Sequence, residues 1–489
     1  MTAPPLPGRA TPAGTRRGAD SFGAGARTLG RTGLTVSPVG FGAARVTDAS
    51  PLHRRALADA LRGGVNLIDT SARYGDGGSE RLVGSMLANL VQQGELRREQ
   101  VVVVSKIGEP QPATSPSAGL DTGALEAQLQ ASLDRLGLET LDVVLLSDPQ
   151  PGSEDAGPAF EQRIQRAFET LERFVADGRI GWYGVSSNGF AEPASKSTMV
   201  SVSRMVEIAE VAGGRGHHFG VVQMPMNLFE LGATHPRGDE PSTLDAAATH
   251  DLGVLTHRPL NAFRERGDDA QLVRLASVPA EAGASLEEAR ARLAVVRKLE
   301  AQWATGLGKT LRVDEQTDAV DLFRWGQELA PRLDALGLEQ WVKLRHDVVA
   351  VHLGRTSAAL LDALEGELRE TFATWWTAYG TALHEAFDAI EAGLRGRRRD
   401  RAAQIGAALD GCVPGPWASM PLSHKAVLTV LCAPVSSVLV GMRQPGYVHD
   451  ILALRDTPVR LLSAGTGPVD FGAVQAAMDK VELVPSAAD

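Results

Sequence analysis

Cysteine is nearly absent from this chain. Cys412 and Cys432 are the only two among 489 residues. That excludes a disulfide framework and predicts two unpaired thiols in a reducing cytoplasm. Long apolar runs are missing too. None approaches the ~18 residues of a membrane span, so no membrane partner is expected. Positive charge is in deficit, with 49 Lys and Arg against 59 Asp and Glu and a net charge of −10. A nucleic-acid partner would need the opposite balance. The opening, residues 1–26, lacks the apolar core of a secretory signal. It is rich in Pro, Gly, Ala and Arg, and reads as a disordered tail.

What is present is an ordinary globular composition, 43% hydrophobic and 22% charged, on a chain too long for one ordinary domain. Apolar runs alternate with segments of helical period. Val39–Phe41, Val65–Ile68, Val101–Ser105, Asp142–Leu146, Ile180–Val185, Gly220–Gln223, Gly253–Thr256 and Ser437–Val440 read as buried parallel strands. Leu52–Arg62, Leu125–Leu136 and Arg163–Ala176 read as helices, the last stopped by Asp177-Gly178. Ahead of them, Arg27–Pro38 reads as a hairpin about a Thr-Gly turn. The fold class predicted is α/β: a (β/α)8 TIM barrel with an N-terminal β-hairpin.

The alternation breaks once, after the seventh strand. There Ser285–Gln302, Glu315–Leu336, Leu338–Val351, Ser357–Ile390 and Arg399–Leu409 read as helices without strands, and Ser285 with Glu288 as a capping box. Trp303, Trp325, Trp341, Trp375 and Trp376 fall in this stretch at spacings suited to a core. The organisation expected is a tail over 1–26, the first part of the barrel over 27–263, a mainly helical insertion over 264–417, and the last part of the barrel with a C-terminal tail over 418–489. The basic run Arg395–Arg401 reads as a solvated helix junction, with docking of an acidic partner as the alternative.

Polar residues gather where the strands end. Asp69-Thr70-Ser71-Ala72-Arg73-Tyr74-Gly75 and then Ser79-Glu80 follow the second strand, and Ser105-Lys106 closes the third. In such a barrel the loops after the strands carry the site. A carboxylate, an ammonium and a phenol at one mouth can pair so as to depress the phenol pKa. A phenol tuned in this way passes a proton at neutral pH.

These motifs resemble the aldo-keto reductases. The resemblance implies that Tyr74 gives a proton to a carbonyl oxygen while NADPH delivers hydride. It implies that Lys106 lowers the phenol pKa and that Asp69 holds the lysine. The family's fourth catalytic residue, a His, ends the next strand. Here Asp142–Leu146 runs into Ser147, whose hydroxyl is shorter but can still donate to a carbonyl. Asp148 beside it is expected either to reach into the site or to cap the following turn.

The likeness continues along the chain. Gly178–Asn188 resembles the fifth strand, which assigns Ser186, with Ser187 or a displaced Asn188, to the nicotinamide carboxamide. Val221–Asn227 resembles the sixth, with Gln223 as the carboxamide-binding Gln. Val254–Leu260 resembles the seventh. His257 stands there where the family often has an aromatic on the nicotinamide, and Arg258 and Leu260 follow along the pyrophosphate. Ser437–Asp450 resembles the eighth strand and its adenine-side loop, assigning Gly441, Met442, Arg443, Tyr447 and Asp450 to the cofactor. Gly441 frees the backbone to approach a phosphate, and Arg443 suits a 2′-phosphate. Asp450 replaces the usual Glu near adenine, and Ile451 the usual Asn. No metal is implied. Three functions remain open: NADPH-dependent reduction of an aldehyde or ketone; an NADP(H)-binding module with little turnover that meets a protein partner through the insertion; and reduction of a conjugated double bond.

Overall fold

The apolar runs do pair as parallel strands. The structure, a computed structural model, describes residues 4–23, 25–109, 119–149, 157–193, 195–196, 200–266, 269–276, 285–311, 319–456 and 469–482. A hairpin comes first, β1 (Arg27–Thr28) antiparallel to β2 (Thr35–Val36). The strands β3 (Val39–Gly42), β4 (Leu67–Asp69), β5 (Val102–Ile107), β6 (Leu141–Ser147), β7 (Ile180–Ser186), β8 (Phe219–Pro225) and β9 (Gly253–His257) follow. After them come β10 (Asn261–Arg266), β11 (Asp269–Arg274) and β12 (Ser437–Val440). Strands β3 to β9 and β12 close into one eight-stranded parallel barrel in the order β12-β3-β4-β5-β6-β7-β8-β9. All eight barrel strands lie where the apolar runs place them. Leu29, Leu34 and Val36 of the hairpin region pack with the inward-facing Leu67, Val102, Val143, Val221, Leu255 and Leu439 of the barrel.

Register sets the site. Gly42 pairs with Asp69, Lys106 with Leu145, Ser147 with Ser186, Ser186 with Gln223, and Pro225 with His257. Every candidate on these strands therefore stands at the C-terminal mouth. The β7–β8 register shifts between Tyr183 and Gly184. A Cβ at Gly184 would lie 1.7 Å from the Val221 carbonyl oxygen, so only glycine admits that shift.

The segment read as a disordered tail is a correction. Pro12–Asp20 is a helix, N-capped by Thr11, whose hydroxyl accepts from Gly14 N–H at 3.0 Å. The small residues that suggested disorder instead allow close approach: a Cβ on Gly14 would meet the Glu99 carbonyl oxygen at 2.3 Å. The buried Asp142 carboxylate needs donors. It takes Ala10 N–H at 2.6 Å, Val103 N–H at 2.7 Å and Arg98 Nη2 at 2.8 Å. Residues 1–3 lie outside the described residues.

The chain divides into two compact units, residues 1–262 with 409–479, and residues 263–408 with 480–489. The second unit is mainly helical but is not free of strands, because β10 and β11 pair as a separate two-stranded sheet. Its helices include Leu286–Thr305, Ala350–Ala363 and Gly366–Asp410, the last being 45 residues long. The expected helix over Glu315–Leu336 is three short turns from Ala319 onward; Glu315–Asp318 lie outside the described residues. Ser285 does stand at the N-cap, but its side chain makes no capping bond. The core is aromatic: Trp303 meets Phe323 edge-on at 5.0 Å, and Trp375 stacks on Tyr379 at 4.8 Å. The Arg395–Arg401 run is not a junction, since it lies within the long helix. Arg395 pairs with Glu391, and Arg397 donates to the Asp334 and Leu336 carbonyls.

Candidate active site

Asp69 ends β4 and Lys106 stands one residue before the end of β5. Their ion pair is buried, with Nζ 2.5 Å from Asp69 Oδ1, and Nζ also donates to the Thr70 carbonyl at 3.1 Å. Tyr74 rides on the loop after β4. That loop is closed by Tyr74 N–H to the Ser71 carbonyl and by Ser79 N–H to the Tyr74 carbonyl, both at 3.1 Å. The Lys106 ammonium lies 5.3 Å from the Tyr74 ring centroid. Ser79 and Glu80 hold this loop from behind. The Glu80 carboxylate accepts from Ser105 and from Arg135, each at 2.6 Å.

Two further strands join the pair. Gln223 Nε2 donates to Asp69 Oδ1 at 2.8 Å, and Ser186 Oγ donates to Gln223 Oε1 at 2.7 Å. A continuous chain thus runs Ser186–Gln223–Asp69–Lys106 beside Tyr74.

The electrostatics correct one expectation. The Tyr74 phenol is raised above its ordinary 10.0, not depressed. Burial is the largest cause. The Lys106 charge pulls the phenol down, but Asp69 and Glu109 push it up again. Burial would lower the Lys106 ammonium, yet Asp69, with Tyr74, holds it above its ordinary range. The phenol is therefore protonated at neutral pH, the form a proton donor requires. Burial, together with the Arg258 and Lys106 cations, holds the His257 imidazole well below 6.5, so it is neutral.

Ser147 ends β6 as expected, but its hydroxyl is engaged. It donates to Glu109 Oε1 at 3.0 Å, an oxygen that Ser71 Oγ also reaches at 3.4 Å. Arg73 Nε lies 3.4 Å from Oε2. The sequence reading missed Glu109. Gly108 leaves β5 at φ +88°, a conformation that favours glycine. The turn is then pinned by Gln128, whose Oε1 accepts from Gly108 N–H at 2.9 Å and Glu109 N–H at 3.2 Å. The available signal was a Gly followed by a carboxylate three residues after Lys106.

Asp148 turns to the neighbouring loop instead of the site. It accepts from Ser187 Oγ at 3.0 Å, Asn188 N–H at 3.1 Å and Asn188 Nδ2 at 3.2 Å. Ser187 is buried and committed there. Arg258, expected along the pyrophosphate, has φ +61° and pairs with Glu230 at 2.6 Å. Leu260 is half-buried beyond it.

On the last loop Met442 is buried and Tyr447 exposed. A Cβ at Gly441 would meet nothing within 4 Å, so open space, not a tight turn, marks this glycine. Arg443 is half-buried and has no ion-pair partner among the described residues. Asp450 is held by His424 Nε2 at 2.9 Å and Ser423 Oγ at 3.0 Å. Against the upward push of burial, these partners keep its carboxyl below the ordinary range. Among the described residues no group of three or more His, Cys, Asp or Glu is arranged to hold a metal, and no helix is long and apolar enough to cross a membrane.

The chain is 31% identical over 217 residues to a methylglyoxal reductase of Escherichia coli, covering 44% of this chain and 60% of that protein. It is 29% identical over 167 residues to an L-galactose dehydrogenase of Arabidopsis thaliana, covering 33% and 47%. It thus spans about half the length of these curated relatives. Among solved structures it is similar to an aldo/keto reductase from Klebsiella pneumoniae in complex with NADP and acetate. That likeness has 23% identity and a TM-score of 0.34, covering 48% of this chain and 68% of the other. The model of the aldo/keto reductase family matches residues 38–297, more than half of the sequence, and the chain belongs to that family.

Proposed function

We propose that the protein is an NADPH-dependent oxidoreductase that reduces an aldehyde or ketone. The observation that carries this reading is the buried Asp69–Lys106 pair beside a half-buried, protonated phenol at the barrel mouth. When bound, NADPH supplies the hydride. The residues at both ends of the mouth fit that cofactor. Arg443, with no ion-pair partner among the described residues, offers a charge-assisted fork to a 2′-phosphate, and a Cβ at Gly441 would meet nothing within 4 Å. Ser186 and Gln223 face each other at the carboxamide end, and the neutral His257 offers a flat ring without a competing charge.

The chain's own part is a proton transfer. Tyr74 gives its phenolic hydrogen to the carbonyl oxygen as negative charge develops there. The Lys106 ammonium stabilises the phenolate left behind, and Asp69 keeps the ammonium in place. Gln223 ties the carboxamide end to Asp69, so the two halves of the site share one hydrogen-bonded chain.

Fluorescence titration and turnover assays test this. NADPH is expected to bind at least about tenfold tighter than NADH, with the gap closing in Arg443→Ala as a charge-assisted pair is lost. Turnover is expected on part of a panel of aldehydes and ketones. Equal cofactor affinities, unchanged in Arg443→Ala, would remove Arg443 from the account. NADPH binding without turnover of any carbonyl or enone would identify a nucleotide-binding module instead.

A further inference from the structure

Where the family places an imidazole, this chain has Ser147, whose hydroxyl turns to the carboxylate of Glu109. The Ser147 hydroxyl has one hydrogen and gives it to Glu109 Oε1 at 3.0 Å. Ser71 and Arg73, whose side chains also meet the Glu109 carboxylate, lie on the loop that carries Tyr74. The Glu109 side chain is 15% exposed, so it is largely desolvated but still open to a ligand. Arg73 is 72% exposed and sits 3.4 Å away, so its charge neutralises Glu109 only weakly.

Such a group cannot do the work of an imidazole. A carboxylate only accepts hydrogen bonds, and a carbonyl oxygen only accepts them. Glu109 therefore does not hold the reacting oxygen. It does have acceptor capacity left. Two carboxylate oxygens offer about four lone-pair positions, and among the described residues two serine hydroxyls and one largely exposed guanidinium, its Nε 3.4 Å away, fill part of them. A mostly desolvated carboxylate is stabilised by a further donor and destabilised by a second negative charge.

Resting on the reductase reading above, we propose that Glu109 is a specificity-determining residue. It accepts a hydrogen bond from a hydroxyl on the carbon next to the substrate carbonyl. The favoured substrates are then hydroxy-aldehydes and hydroxy-ketones. A carbonyl compound with a carboxylate at that position is turned away by charge. Ser147 takes the role of a positioning residue that aims Glu109, not of a donor to the carbonyl.

The test uses the full-length protein with NADPH and three aldehydes: glyceraldehyde, propanal of the same chain length, and the anionic glyoxylate. Wild type is expected to favour glyceraldehyde over propanal in kcat/KM by at least about tenfold, as expected of a buried acceptor that loses its donor. In Glu109→Gln that ratio falls towards one, and the glyoxylate-to-propanal ratio rises. A gain on glyoxylate cannot come from poor folding. Ser147→Ala is expected to shift both ratios in the same direction by less. Wild-type turnover of glyceraldehyde and propanal, with ratios that stay put in Glu109→Gln, would overturn the role of Glu109 and leave the reductase reading standing. Wild type that binds NADPH and turns over none of the three would overturn the role of Glu109, and the reductase reading falls with it only where the wider panel of carbonyls also fails.

Discussion

The barrel holds a buried carboxylate–cation pair at each end, Asp142–Arg98 near the strand N-termini and Asp69–Lys106 at the C-terminal mouth. Both are nearly inaccessible, with side-chain exposures of 1% and 5% in the first pair and 5% and 6% in the second. Their surroundings differ. Asp142 is held by Ala10 N–H, Val103 N–H and the guanidinium, so it ties the N-terminal segment to two strands. Asp69 meets side chains instead, Gln223 and Lys106, and its partner stands beside the half-buried phenol of Tyr74. A buried ion pair alone identifies nothing. One whose neighbours are fixed backbone is architecture, and one whose neighbours are titratable or exchangeable side chains is a site.

Replacing the cation at each end breaks the comparison most sharply. Lys106→Met should lower turnover by about 10²–10⁴-fold, the usual worth of a tuned proton donor. It also leaves Asp69 buried and unpaired, a loss of about 3–5 kcal/mol of stability. Arg98→Met should lose a similar ~3–5 kcal/mol while keeping kcat per folded molecule. Denaturant melts and titrated active-enzyme rates separate the two. Loss of kcat in folded Arg98→Met would show that the lower pair is not merely architectural.

The pH profile sharpens the same contrast at smaller amplitude. The phenol is held above 10.0, so it is protonated through neutral pH. Carbonyl reduction needs that form. As far as Tyr74 governs it, kcat/KM should be flat from pH 7 to 9 and fall only above the raised pKa. Alcohol oxidation needs the phenolate and should rise by about tenfold per pH unit over the same range. A fall in reduction centred near neutrality would restore the depressed phenol that the motif suggests.

That reversal marks the limit of reading this chain from its residues. The barrel was legible because its strands are short apolar runs set between helical segments, and Asp69, Tyr74 and Lys106 because they fall at or just after the ends of two of those runs. The direction of the Tyr74 shift was not, because it depends on burial and on Glu109, which no local pattern announces. Glu109 becomes visible only when register sets β5 beside β6 and brings Ser147 within 3.0 Å. The helix Pro12–Asp20 was hidden for a similar reason. Its glycines and prolines look like disorder until the partners of Gly14 and Ala10, far along the chain, are in place. The unbroken helix through Arg395–Arg401 is supported by distant partners in the same way, Arg397 donating to the Asp334 and Leu336 carbonyls, whereas β10 and β11 pair locally, two residues apart in the chain.

The central claim is that the upper pair serves a proton donor, and Tyr74→Phe tests it most directly. The substitution removes one hydroxyl, leaves the ring in place and does not touch Asp69 or Lys106. Measured with NADPH and the best carbonyl substrate, kcat should fall by about 10²–10⁴-fold, while NADPH affinity by fluorescence titration and the melting midpoint stay near wild type. Full turnover in Tyr74→Phe, with the same substrate and cofactor, would mean that another group delivers the proton and that the Asp69–Lys106 pair has no catalytic phenol to serve.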